Sequence, residues 1–336
     1  MSKYQKLAWL IGLLALLFVM VSVGGITRLS KSGLSITEWK PVTGILPPLS
    51  EEAWLREFDL YKNSPEFKHH NAHFDLQDYK GIFWWEYIHR VLGRVIFLFA
   101  VALSFSFWRK KEASGGYALL LPMLIVFQGL MGWLMVKTGL NHRPSVSHYM
   151  LTVHFFLAVF TMTVVYYPLS QMKKPLWDRL SRRGYFLVIT LGVLLGLQIV
   201  YGCFTAGLKA GFYFGTFPFM GGQFFPPQGL LMEPAVHNFF ENPITVQWIH
   251  RWLGVGVGLF LFFTGYHLIK HESPSFTRPV LHLVSLVIIQ IILGISTLLF
   301  HVPISLAVFH QAMAALIWLG YCNIVFRINC KPSLTQ

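Results

Sequence analysis

The chain has 336 residues, of which 54% are hydrophobic and only 12% charged, and its formal net charge is +13. Soluble domains carry about 25% charged residues, so a soluble globular domain is excluded. The positive charge does not mark a nucleic-acid binder, because the basic residues gather in short segments between long apolar ones.

A membrane-spanning helix needs about 20 apolar residues. Residues 7–27 are uncharged between Lys6 and Arg28 and predict a first span. Their apolar run exceeds the roughly 7–15 residues of a signal-peptide core. The second span runs from about Gly81 to Phe107 and opens on the charged stretch Trp84 to Arg94. The third lies between Glu112 and Lys137, the fourth between Arg143 and Lys173, and the fifth between Arg183 and Lys209. The sixth runs from about Thr245 to Ile269. After Arg278 no Asp, Glu, Lys or Arg occurs before Arg327. One helix of that length would measure ~70 Å, over twice the hydrocarbon thickness. Phe300-His301-Val302-Pro303 therefore predicts a turn between a seventh and an eighth span.

Lys3 and Lys6, Arg109 to Lys111, the basic cluster from Lys173 to Arg183, Lys270 and Arg278, and Arg327 and Lys331 all fall on one side. The bias of Lys and Arg towards the cytoplasm puts both termini there, in a multi-pass protein of the cell (inner) membrane. The first outer loop, residues 28–80, is long and mixed in charge. Its segment Ser50 to Leu60 begins Ser-Glu-Glu and predicts a capped amphipathic helix lying on the surface. The third outer loop, residues 206–244, is rich in Gly, Pro and Phe and predicts a lid packed on helix ends. Cys203, Cys322 and Cys330 lack any metal-ligand spacing and read as small buried residues.

The second span carries Glu86-Tyr87-Ile88-His89-Arg90-Val91-Leu92-Gly93, and the sixth answers with Gln247-Trp248-Ile249-His250-Arg251-Trp252-Leu253-Gly254. The third and seventh share Gln128…Gly132 and Gln290…Gly294, and the fourth and eighth each hold one deep histidine, His154 and His310. Helices one and five end in related sequences, Thr27-Arg28-Leu29-x-Lys31-x-Gly33 and Thr205-x-Gly207-Leu208-Lys209-x-Gly211, which share Thr, Leu, Lys and Gly with one residue inserted. The fold expected is therefore all-α and integral to the membrane, with eight transmembrane helices in two pseudo-symmetric four-helix bundles. Residues 1–170 form the first bundle, 171–183 a cytoplasmic linker and 184–336 the second. An even number of spans per repeat sets the pseudo-axis along the membrane normal.

At 1.5 Å per residue His89, His154, His250 and His310 all lie roughly 8–12 Å below the outer surface. Two facing imidazoles per bundle, at equal depth, suit a six-coordinate haem iron. Zinc or copper would be under-ligated by two histidines alone. Arg90, Arg94 and Arg251 are candidate propionate partners, with snorkelling to the interface as the alternative. His69, His70 and His73 read as a solvated cluster rather than a metal site, and His148, His282 and His301 as interface residues. The bundles differ where it matters: Glu86 of the first is replaced by Gln247 in the second. A carboxylate beside an axial ligand can move protons and an amide cannot, which predicts one reactive site and one electron-transfer or structural haem. A salt bridge from Glu86 to Arg90 or Arg94 is the alternative, and it does not exclude chemistry.

Several blocks resemble the heme A synthase family. They include Gly24-Gly25-Ile26-Thr27-Arg28-Leu29, Glu86-Tyr87-x-His89-Arg90-x-x-Gly93-Arg94 and Phe127-Gln128-Gly129-Leu130-x-Gly132-Trp133. Others are Thr216-Phe217-Pro218-x-Met220, Glu241-Asn242-x-x-Thr245-Val246-Gln247-x-x-His250-Arg251 and Pro303-Ile304-x-Leu306-Ala307-x-x-His310-Gln311. The resemblance runs over nearly the whole chain. It implies oxidation of a pyrrole-ring methyl of heme O to a formyl group, giving heme A for terminal oxidases. It further implies Glu86 as the catalytic carboxylate, His89 and His154 facing heme O, and His250 and His310 ligating a cofactor heme B. The partners expected are heme O, membrane lipid, a heme O synthase, an electron-transfer protein and a second copy of the chain, with no nucleic acid. The first outer loop lacks the cysteine pair of another bacterial branch, so thiol-based electron transfer there is not expected. The rival reading is a di-haem electron-transfer subunit of cytochrome b type, which would leave its haems unaltered.

Overall fold

The computed structural model describes residues 2–41, 43–109, 115–141, 145–172 and 178–328. Among these residues nine α-helices form: α1 (Lys3–Leu29), α2 (Glu51–Lys62), α3 (Leu76–Arg109), α4 (Gly115–Asn141), α5 (His148–Met172), α6 (Arg182–Gly207), α7 (Pro243–His267), α8 (Thr277–Leu299) and α9 (Ile304–Val325). All but α2 are long and apolar enough to cross a membrane, which gives the eight spans expected, and no β-strand forms among the described residues. The chain divides into two compact units, Met1–Thr161 and Met162–Gln336. This division falls within α5, upstream of the expected linker at 171–183. Residues 173–177 of that linker, the basic residues Lys110, Lys111 and Lys331, and Cys330 lie outside the described residues.

Local chemistry sets the helix ends. Ser2 and Gln5 exchange side-chain and backbone hydrogen bonds at the start of α1. Ser181 caps α6 by accepting from the Gly184 N–H, and Asn242 caps α7 by accepting from the Ile244 N–H, with Pro243 in the first turn. Between α8 and α9, His301 and Val302 adopt φ of 59° and 62°, and the Val302 N–H closes on the Thr297 carbonyl at 2.7 Å. The break falls at the expected Phe300–Pro303 turn.

Two elements of the first unit differ from expectation for one reason. Helix α3 begins at Leu76, more than a turn before Gly81. Asp75 Oδ1 accepts from the N–H groups of Gln77 and Asp78 at 2.7 and 2.9 Å, and Asp78 accepts from the Asp75 N–H at 3.1 Å. The helix thereby extends beyond its apolar run. Helix α2 is capped by Ser50 as expected, but its apolar face does not spread over the surface. Trp54, Phe58 and Tyr61 are buried against Tyr79 of the α3 extension and against Ile82 and Phe83 just beyond it. Phe58 and Tyr61 both stack on the Tyr79 ring, at 5.1 and 5.3 Å between centroids. The N-terminal end of α3 is thus an aromatic-walled platform for the charged stretch that follows.

Within the first unit α3 packs on α1 and on α4. In the second, α6 packs on α7, α7 on α8, α8 on α9 and α9 back on α6. Leu191, Leu261, Leu283 and Ile317 meet in the core of that second unit.

Candidate functional site

Glu86 lies one turn inside the α3 platform and is 3% exposed. Both its oxygens are engaged. Oε2 accepts from the Ser35 hydroxyl and the Ile36 N–H, each at 2.8 Å. Oε1 accepts from Arg90 Nε at 3.1 Å and Nη2 at 2.7 Å. The i,i+4 ion pair anticipated as the alternative for Glu86 is therefore present. Arg90 also donates to the carbonyls of Ile36 and Glu38, at 2.8 and 3.0 Å. Arg94 donates to those of Pro41 and Lys40, both at 2.9 Å. Charge-assisted bonds of this kind are about twice as strong as neutral ones. They clamp the segment following α1 onto the α3 turn that carries His89. At its outer edge Lys40 pairs with Glu38 and Glu57. Hydrogen bonding to Glu38, against the opposing effect of burial, raises the Lys40 ammonium pKa above its ordinary value.

The second unit repeats the clamp without the carboxylate. Arg251 donates to the carbonyls of Phe214 (2.8 Å) and Thr216, and Gln247 Nε2 donates to that of Phe214 at 3.2 Å. Gln247 Oε1 and Arg251 Nε are buried with no hydrogen-bond partner. Trp248 Nε1 adds a bond to the Phe224 carbonyl at 2.9 Å. Residues 214–224 are in this way fastened over the start of α7, as expected of a lid. The arginines read from sequence as propionate partners are in both units bonded to backbone carbonyls.

Each of the four deep histidines abuts a glycine on a neighbouring helix. A Cβ placed on Gly24 would lie 3.3 Å from His89 Nε2. The corresponding distances to Cε1 are 3.1 Å for Gly132 and His154, 3.1 Å for Gly202 and His250, and 2.8 Å for Gly294 and His310. In the second unit the His250 and His310 rings face each other with centroids 6.3 Å apart and planes at 88°. Two metal–nitrogen bonds of roughly 2 Å, plus the half-widths of two imidazoles, span about that distance. The donor set and the glycine-lined cradle fit a bis-histidine haem. Gly294→Ala is expected to displace the His310 ring and lower the haem retained by the purified chain roughly tenfold, the size of a second-shell defect. Gly202→Ala should do so less severely. Absorbance of the purified variants checks this, and full retention in both would remove the glycines from the site.

Residues 7–321 match the family model COX15-CtaA, described as cytochrome oxidase assembly protein. The chain belongs to this family. Proteins named heme A synthase are similar to it along most of their length. That of Rhizorhabdus wittichii is 39% identical over 325 residues, covering 93% of this chain and 92% of its own. That of Neorickettsia sennetsu is 39% identical over 328 residues, covering 96% and 98%. That of Nitrosospira multiformis is 40% identical over 319 residues, covering 92% and 89%. The COX15-CtaA match spans both units and all four histidine–glycine pairs.

Gly202 and Gln198, which contact His250, are site candidates that the sequence reading above does not include. The signal was available: Gln198-x-x-x-Gly202 repeats the spacing of Gln128…Gly132 and Gln290…Gly294. His69 and His70 are exposed in the segment between α2 and α3. Among the described residues no group of three or more His, Cys, Asp or Glu is placed to hold a metal ion.

Proposed function

We propose that the chain is a heme A synthase, an oxidoreductase that converts a pyrrole-ring methyl of heme O to the formyl group of heme A. The observation that carries this reading is near full-length similarity to relatives bearing that name. In it the first unit takes heme O between His89 and His154, and the second holds heme B between His250 and His310. Heme B would supply one-electron transfer. The 6.3 Å ring spacing supports the second assignment. The first is supported by Glu86, the carboxylate that has only the amide Gln247 as counterpart.

Oxidation of the methyl to a formyl group adds one oxygen atom, from water or dioxygen, and removes hydrogen from that carbon as protons and electrons. Glu86, hydrogen-bonded to the Ser35 hydroxyl, is the group proposed to take up a proton there. The remaining N–H donors of Arg90, Arg94 and Arg251 are proposed for haem propionates. Both termini are proposed to face the cytoplasm of a bacterial inner membrane, from the placement of Lys and Arg. A heme O synthase would deliver the substrate, and an electron-transfer protein would connect to the second unit.

Expression of the chain with a source of heme O, followed by extraction and chromatography of the haems, tests the reading. A formyl haem absent from cells without the chain is the expected product. Heme O and heme B alone would overturn it in favour of a di-haem electron-transfer subunit.

A further inference from the structure

Three of the four histidines meet a glutamine and one does not. Gln128 Nε2 lies 3.0 Å from the His154 carbonyl and 3.3 and 3.2 Å from its ring nitrogens Nδ1 and Nε2. Gln198 Nε2 lies 3.0 Å from the His250 carbonyl and 3.1 Å from its Nδ1. Gln290 Nε2 lies 3.4 Å from His310 Nε2. Each glutamine stands one helical turn before the glycine that abuts the same ring. In all three, Oε1 is buried with no hydrogen-bond partner.

Helix α1 breaks the pattern. One turn before Gly24 stands Met20, whose Cε lies 3.2 Å from a Cβ placed on Gly93. Gln198 Nε2 lies 2.9 Å from the same point on Gly254. Met20 therefore holds the place of Gln198, and the His89 ring makes no hydrogen bond to a described residue.

An iron-bound imidazole presents its second ring nitrogen as an N–H that needs an acceptor, and such partners fix the ring's orientation. A primary amide has a broad, roughly two-fold terminal torsion, so rotation offers oxygen where nitrogen stood. Oε1, buried and unpaired in each glutamine, becomes that acceptor when the amide turns, at the cost of the bond that Gln128 and Gln198 Nε2 donate to the histidine carbonyl. A thioether is flexible and accepts hydrogen bonds weakly.

We propose that Gln128, Gln198 and Gln290 are positioning residues that lock His154, His250 and His310, and that His89, with Met20 at the glutamine's place in the repeat, is the exchangeable ligand through which haem enters and leaves the first unit. This rests on reading the four histidines as haem ligands. Its logic is one of number: the unit that retains its haem has two locked ligands, and the unit that turns haem over has one.

The test uses the full chain, purified and loaded with heme O and heme B. Haem transfer to excess apomyoglobin is followed by absorbance. Wild type should lose the haem of the first unit quickly and that of the second slowly. Met20→Gln should slow the fast phase roughly tenfold, the effect of about one hydrogen bond, and leave the slow phase alone. Met20→Leu should match wild type. Gln198→Leu should shift the midpoint potential of the retained haem and speed its loss roughly tenfold. An unchanged fast phase in Met20→Gln, or an unchanged potential and slow phase in Gln198→Leu, overturns the inference. If Met20→Gln does not accumulate, the reverse exchange Gln128→Met decides: it should speed the fast phase, and no change counts against the lock. A fast phase untouched by His154→Ala would instead overturn the haem-ligand reading itself.

Discussion

Replacing His250 or His310 with alanine should strip the second unit of its haem. The two rings sit 6.3 Å apart, a separation that suits a bis-histidine iron, and each abuts a glycine, Gly202 or Gly294, whose Cβ would press on it. Loss of an outer-shell partner costs about 10–100-fold in metal affinity, so loss of a ligand itself should cost more than about 100-fold. Purified His250→Ala and His310→Ala should show little heme B on extraction, and cells carrying them should make little heme A. His89→Ala and His154→Ala should leave extracted heme B near the wild-type amount. Wild-type heme B in the second-unit variants would show that haem is held elsewhere.

Glu86→Gln is the second change expected to be severe. The carboxylate accepts four hydrogen bonds, two from the segment after α1 and two from Arg90. An amide has one acceptor atom, so its NH2 must face either Arg90 or the Ser35 and Ile36 donors. The second unit has an amide at this place, and Gln247 donates there to a carbonyl, that of Phe214. If Glu86 also takes a proton during oxidation, heme A formation should fall about 10²–10⁴-fold, the usual worth of a positioned acid or base. Heme O should accumulate on the protein. Thermal stability should fall as well, since a buried pair missing one partner costs roughly 3–5 kcal/mol. The informative comparison is heme A formed per haem bound in the folded fraction. A wild-type ratio there would leave Glu86 as a fastener of the loop and nothing more.

The spans were legible because a continuous apolar run has few alternatives, and the α8–α9 turn followed from a run too long for one helix. The extension of α3 was not, because Leu76 to Lys80 is polar and hydropathy ends at the charges. It is carried by Asp75 at the cap and by α2 packing on Tyr79, and that packing is a tertiary fact. The histidines were legible as a repeat. Their glycine partners were harder to see, since close helix packing uses the same spacing and only the contact tells the two apart. The arginines show the limit most clearly. Sequence offered Arg90, Arg94 and Arg251 as propionate partners, but a guanidinium bonds whichever acceptors lie within reach, and the loop carbonyls these three also grip could not be read from it.

That choice of acceptor bears on divergence. Arg90, Arg94 and Arg251 grip the carbonyls of Ile36, Glu38, Lys40, Pro41, Phe214 and Thr216. Every amino acid carries a carbonyl, so the grip follows the path of the chain and is indifferent to its letters. The outward side chains there, Glu38 and Lys40 among them at 48% and 42% exposure, can be rewritten while the segments stay fastened. Two proteins of this kind could share an interior and present unrelated faces to whatever docks outside.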